Sequence, residues 1–411
     1  MIDFLKNSLF SLLLRCITLL GRLFLVVFIG KYLSVNELGI YGLFFATVIF
    51  STFFLGYDFY TFQTRELLSE KCDNKLIVIR DQFVFYIVTY IIVLPWLSLL
   101  FTNYIIPLKY IFLFYPILIF EHLSQEMFRL FTVLSKPIIA NLILFIRGSL
   151  WVFIMILLYK LNIIYVDLNT IFFLWIIGGG VSLVFSVINL KKMKLGLLDK
   201  PINWAWITKG VKICTPFFIG TISYKIIEFS NRYFIDGLLS KHEVGIFTFF
   251  YSISNVVQTL VFTGVIMLIY PKMVETFSTR KNEYYSHYKN LKIFTVGTSF
   301  FFIIMVIIFI PYVLKIIDKA DFQNNIGVLW ILLSSSFAFI LSLIPHYSLY
   351  VQKKDKTIMY ITIFGATVNI ILNFIFIKYW GINGAAFSLL VTYTLIFLLK
   401  QYYNYSGKIS L

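Results

Sequence analysis

The chain has 411 residues, of which 60% are hydrophobic, 19% aromatic and 13% charged, with a formal net charge of +16. Soluble domains carry about a quarter charged residues, so this composition excludes a single water-soluble core and points to a membrane class. Nucleic acid is not an expected partner, because the basic residues are scattered over short loops and no basic domain could hold a duplex.

Apolar runs of about 20 residues, the length of a bilayer-crossing helix, recur along the whole chain. They are read at 9–31, 40–62, 83–106, 110–134, 138–160, 169–190, 211–235, 244–270, 293–315, 326–350, 357–378 and 383–403. The runs are continuous rather than alternating, which specifies helices and not a barrel. The first is interrupted by Arg15 and Arg22 and lacks a small-residue cleavage site, so it is expected to stay as an anchor rather than act as a cleaved signal. Cys16, Cys72 and Cys214 form no CxxC and are expected to be unpaired.

Lysine and arginine set the orientation. With the N-terminus inside, 23 of these residues fall on the inner side, Lys400 among them, and 7 on the outer. Both termini are therefore expected to be cytoplasmic. The longer loops, 63–82, 191–210 and 271–292, all lie inside. The middle one contains Pro201, Trp204, Trp206 and several lysines. It separates an N-terminal six-helix lobe (1–190) from a C-terminal one (211–411), either as an amphipathic segment on the inner leaflet or as a plain linker.

The second half opens with an echo of the first. FIGKYLSVNELGIYGLF (28–44) and FIDGLLSKHEVGIFTFF (234–250) share eight of seventeen positions at an offset of 206. Ser34 with Glu37, and Ser240 with Glu243, fit the S-x-x-E capping box, in which serine accepts from a free helical N–H and glutamate reaches back to the serine N–H. Gly39 and Gly245 allow close helix approach. Six spans per half give both halves the same orientation, an expected pair of parallel repeats forming two lobes around a central cavity.

Ionisable groups at bilayer depth cost a few kcal/mol or more and face a cavity or a partner. Arg15 and Arg22 are two helical turns apart on one face, and Lys225, Glu228 and Arg232 share another. Together with Arg147, halfway along its span, the arginines and Lys225 would make a cationic cavity suited to phosphate or carboxylated sugar. Asp58 and Glu228 are candidate ion-coupling residues or charge partners. Plainer roles fit several of these residues: Arg15 as a snorkelling side chain, Lys225–Glu228 and Asp58 with an arginine as structural pairs, and Glu126–Arg129 as a local i, i+3 pair. His122 lacks zinc spacing, so no metal site is expected. There is no GxxxxGK[ST], GxSxG or HExxH, and no large outer loop for a polymerase or ligase, so neither enzyme activity nor a cofactor is expected.

Three stretches carry a family resemblance. LGRLFLVVFIGKYLSVNELGIYGLF (20–44), EFSNRYFIDGLLSKHEVGIFTFFYSIS (228–254) and GATVNIILNFIFIKYWGINGAAFSLLVTY (365–393) resemble polysaccharide exporters of the multidrug/oligosaccharidyl-lipid/polysaccharide (MOP) superfamily, most of all the O-antigen (Wzx-type) flippases. The third stretch holds Asn369 and Asn373 on one helix face, then a short turn and a Gly381, Gly384, Ala385, Ala386 cluster suited to tight helix packing. The resemblance implies a two-lobed, V-shaped fold with a basic cavity in the bacterial inner membrane. It implies transport of an undecaprenyl-pyrophosphate-linked oligosaccharide, for O-antigen lipopolysaccharide or capsule, with membrane lipids, a polysaccharide polymerase and a chain-length regulator as partners. The rival within the superfamily is a drug or cation antiporter with an acidic cavity built on Asp58 and Glu228.

Overall fold

The computed structural model describes residues 2–69, 74–102, 105–193, 195–198, 200–277 and 279–406. These form helices and turns, with no strand among the described residues. The N-terminal part contains α1 (Ile2–Tyr32), α2 (Val35–Gly56), α3 (Tyr60–Leu67), α4 (Lys75–Leu97), α5 (Leu99–Thr102) and α6 (Ile111–Val133). Next come α7 (Pro137–Phe145), a π turn (Ile146–Leu150), α8 (Trp151–Lys160) and α9 (Leu168–Lys191). The C-terminal part contains α10 (Trp204–Leu238), α11 (Lys241–Val261), a π turn (Phe262–Ile266), α12 (Met267–Phe277), α13 (Lys281–Ile317), α14 (Ala320–Asn324), α15 (Ile326–Val351) and α16 (Asp355–Ser406).

Nine helical stretches among the described residues are long and apolar enough to cross a membrane. The last of them, 355–405, is broken at Gly381, whose φ of 57° and ψ of −140° suit glycine and make a tight turn. That break separates the expected spans 357–378 and 383–403. Two further expected spans coincide with α6 and α10, whose apolar runs are diluted by polar and charged residues. The chain is thus an all-α, multi-pass membrane protein. The span expected at 40–62 is not one helix: Tyr57 and Asp58 both take left-handed backbone (φ 49° and 51°), and the chain turns there into α3.

Contacts divide the chain into two compact units, Met1–Leu25 with Leu43–Thr221, and Val26–Gly42 with Ile222–Leu411. The division falls within α10, and the hairpin between α1 and α2 belongs with the second unit. In the first unit α6 packs on α3, α7 and α9. Its aromatic core joins Phe44 to Phe172 (4.0 Å between centroids), Phe114, Tyr110 and Trp175. A second cluster sets Phe59 against Phe85 and Phe62, and Trp206 closes over it. The segment before α10 is neither free nor simply solvated. Asn74 and Arg80 donate to the carbonyls of Leu197, Lys200 and Pro201, and the Asn203 N–H donates to Asp81. Asp167 caps α9 at 2.8 Å from the Thr170 N–H. Burial raises its carboxyl, but hydrogen bonds from Thr170 and Asn169 outweigh this and hold it below the usual range.

The second unit explains the echo. A Cβ on Gly39 would collide with the carbonyl oxygen of Lys241, and a Cβ on Gly245 with that of Val35. Positions 35 and 241, like 39 and 245, are related by the 206-residue offset, so the contact is self-complementary in the manner of a two-fold interface. Continuing along it, Gly42 faces its own counterpart, Thr248. The capping box is complete in the first copy, where Ser34 N–H donates to Glu37 (2.8 Å) and Glu37 N–H donates to Ser34 (3.2 Å). In the second copy Ser240 accepts from the Glu243 N–H (3.3 Å), but Glu243 does not reach back. Lys319 donates to the Leu33 carbonyl, satisfying the end of α1.

The pair on the third resembling stretch finds the neighbours its spacing requires. Asn373 donates to Asn369 (2.9 Å), Asn369 to Thr392 (3.2 Å), and Ser388 to Asn373 (2.6 Å), all fully buried. Gly384 lies so close to the Phe376 carbonyl that a Cβ would collide with it, and Ala385 and Ala386 are fully buried. Overpacking of this kind costs about 1–3 kcal/mol. Gly39→Ala and Gly245→Ala are each expected to lower the melting temperature of the detergent-solubilised protein by several degrees. Gly237→Ala, with open space around it, should not lower it; equal effects at all three positions would contradict the crossing.

Candidate functional site

Charged groups in the first unit converge on α6. Glu121, His122, Ser124 and Glu126 are all at most 3% exposed, a polar run that a lipid-facing helix could not hold. Glu126 accepts from Arg129 (2.5 Å), from Tyr86 Oη (2.5 Å) and from Gln82 (3.3 Å). Arg129 lies over the Tyr60 ring, 3.7 Å from its centroid, and Asp58, 5% exposed, acts electrostatically on it. The local Glu126–Arg129 pair expected from spacing is therefore one node of a wider network. His122 bonds Tyr90 Oη through Nδ1 at 2.7 Å, while its Nε2 lies against Gly56 without a hydrogen-bond partner. No group of three or more His, Cys, Asp or Glu suited to a metal occurs among the described residues. Cys16 and Cys214 are free; Cys72 lies outside the described residues.

A second node on α6 fixes Arg147. Its guanidinium pairs with Glu121 at 2.9 Å and donates to the Glu121 carbonyl at 2.9 Å, and Trp175 Nε1 donates to the same carboxylate at 2.8 Å. Arg147 sits in the π turn of its span and is 5% exposed. The next residue, Gly148, leaves room for Arg22 from α1: a Cβ there would lie 3.3 Å from Nη2. Arg22 is partly exposed, and no carboxylate or hydrogen-bond acceptor holds it among the described residues. Two turns earlier on α1, Arg15 donates to Asn141 at 2.7 Å and approaches the Phe128 ring. The first unit thus gathers Arg15, Arg22 and Arg147 along the contact between α1 and the α7–α8 segment. Asp58 belongs instead to the Arg129 network.

In the second unit Lys225, Glu228 and Arg232 share a face of α10, as their spacing requires. Lys225 pairs with Glu228 at 2.6 Å. Arg232, 2% exposed, forms no ion pair among the described residues; it lies 4.5 Å from the centroid of Tyr251 and donates to the Glu228 carbonyl at 3.4 Å. Cation–π contact offsets part of the cost of burying such a charge.

The long-range partners of these charged groups escaped sequence reasoning. Tyr86 and Gln82 bond Glu126, Trp175 bonds Glu121 and Tyr251 lies against Arg232, across 19 to 54 positions, and no local spacing marks them. The one available signal was the density of polar residues within 121–129.

No family model and no curated relative matches the chain. Solved structures do. A multidrug resistance MATE family transporter of the MOP superfamily, in its inward-facing conformation, aligns with a TM-score of 0.73 at 13% identity, over 95% of this chain and 94% of that one. The lipid II flippase MurJ, inward closed, aligns with a TM-score of 0.72 at 15% identity, over 97% and 87%. An outward-facing MATE transporter of the same superfamily aligns at 0.65 and 13% identity, over 98% and 96%. The fold is therefore that of MATE- and MurJ-type transporters, and these neighbours are transporters and flippases, not enzymes.

Removing one partner of a buried ion pair costs about 3–5 kcal/mol, because the other charge is left uncompensated. Arg147→Gln and Glu121→Gln are each expected to reduce the yield of folded, monodisperse protein severely, and the double variant to recover most of it. Arg22→Ala should leave yield unchanged. Additive losses in the double variant would show that Glu121 and Arg147 are not partners.

Proposed function

We propose that the protein is a flippase that translocates a polyprenyl-pyrophosphate-linked oligosaccharide, an O-antigen or capsule repeat unit, across the bacterial inner membrane by alternating access. The observation that carries this reading is that Arg22 and Arg232 lie within membrane-crossing helices with no carboxylate paired to them among the described residues. A charge kept in lipid without a counter-ion is costly, and an anionic substrate would supply the missing one. Arg15, Arg147 and Lys225 complete the cationic set. Arg147 and Lys225 are each already paired and act chiefly by holding the set in place. The fold shared with a lipid II flippase supports a lipid-linked substrate. The halves 1–190 and 211–411 serve as the two transport lobes, with 191–210 as a cytoplasmic linker. The excess of inner-side lysine and arginine supports cytoplasmic termini. A polymerase and a chain-length regulator would act on the product outside.

The likeness to MATE transporters favours one rival, a drug or cation antiporter using Asp58 and Glu228. Glu228 already holds Lys225 at 2.6 Å, and Asp58 is buried and not free, so neither is left bare for a cationic drug. Charge-assisted hydrogen bonds are worth about 1.5–3 kcal/mol. In a strain lacking its own copy, Arg22→Ala and Arg232→Ala should lower surface polysaccharide about ten- to a hundredfold at unchanged protein level, with Lys retaining part. Full export by both alanine variants, or altered drug resistance with normal polysaccharide, would refute the proposal.

A further inference from the structure

Lys400, an inner-side topology charge in the sequence reading, is buried in the structure at 6% exposure. Its Nζ lies 3.2 Å from Nδ1 of His346 on α15, 54 positions earlier. His346 is partly exposed and packs edge-on against the Tyr347 ring. The facing titratable groups are tyrosines: Tyr270 of α12 beside Tyr347, and Tyr284 and Tyr288 of α13, reached through Ser348 and Asn404. Lys292 stands over the Tyr288 ring. Further along α16, Tyr393 is influenced by Tyr224, Tyr251 and Glu228. The charged group acting on His346 is Lys400, and no carboxylate acts on either member among the described residues.

Two bases in contact, in a site without a counter-ion, accommodate one excess proton. It resides as an ammonium donating to a free imidazole nitrogen, or as an imidazolium donating to a neutral amine. A second proton would set two like charges side by side in a low dielectric. The partly exposed imidazole provides the path of exchange, and the buried amine provides the store. We propose that Lys400 and His346 form a proton-binding site, and that its protonation is coupled to the transport cycle. The coupling rests on the transport reading above; the proton site does not. Of the carboxylates first considered for coupling, Glu228 is engaged with Lys225.

The test uses full-length protein in nanodiscs with ¹⁵N-labelled histidine, the His346 signal among the four being assigned from His346→Gln. One ring signal should titrate between roughly pH 5 and 9, and Lys400→Met should move its midpoint by about one pH unit or more. An unchanged midpoint would overturn the site. So would a signal that moves on addition of inorganic pyrophosphate and not with pH, which would mark an anion site. In proteoliposomes carrying a fluorescent polyprenyl-pyrophosphate saccharide, an imposed pH gradient should change the wild-type rate several-fold. It should leave the rates of Lys400→Met and His346→Gln unchanged, and a gradient response persisting in both variants would overturn the coupling. Should Lys400→Met not fold, His346→Gln, which keeps an acceptor beside the ammonium, carries the gradient test, and the wild-type titration decides the site: a His346 ring signal that does not change over this pH range would overturn it. No saccharide movement by wild-type protein would sink the flippase reading, while the titration would still decide the proton site.

Discussion

A charge placed in a bilayer must find a partner within the protein, and this constraint arranges both units. Apolar packing drives helices together weakly in lipid, because the tails are as apolar as leucine. Specificity then falls to polar contacts and close backbone approach. In the first unit α6 supplies the carboxylates, and the surrounding helices bring the cations and phenols to them: Arg147 and Trp175 to Glu121, and Tyr86 and Gln82 to Glu126. In the second, serine and asparagine side chains link α10 to both arms of α16. Among the described residues, Arg22 and Arg232 have no paired carboxylate, and Lys400 faces another base.

The repeated hairpin shows the second means of association. Its two glycines are matched because each must pass the other's backbone, at Lys241 and at Val35. Identity of letters at a fixed offset thus reflects a self-complementary contact inside one compact unit. The capping serines belong to the same hairpins, so the stretch the two halves share is also one where backbone passes close to backbone. Divergence elsewhere is tolerated, as the half-formed second capping box illustrates.

Much of this was legible before any coordinates. Helix positions follow from uninterrupted apolar runs, whose length the bilayer dictates. Gly381 and the Asn369–Asn373 spacing announced a tight turn and a hydrogen-bonded helix face, and both are present. Local ion pairs at i, i+3 were readable for the same reason: helix geometry alone brings Lys225 to Glu228. The long-range partners were not readable. Arg147 could be placed mid-membrane but not matched to Glu121, 26 positions earlier, because nothing local encodes which helices become neighbours. The left-handed corner falls on Tyr57 and Asp58 and not on the adjacent Gly56, so the usual glycine signal did not mark it. Lys400 counted as an inner-side charge because hydropathy cannot distinguish a buried amine from a snorkelling one.

The central claim is that membrane-embedded arginines engage an anionic lipid headgroup. Binding of undecaprenyl pyrophosphate and of the uncharged undecaprenol to the purified protein, compared by native mass spectrometry, tests it most directly. The account predicts a preference for the pyrophosphate of about tenfold or more, falling towards parity when Arg22 and Arg232 are both alanine. Equal binding of the two lipids by the wild-type protein, or preferred binding of a cationic dye over either, would contradict it.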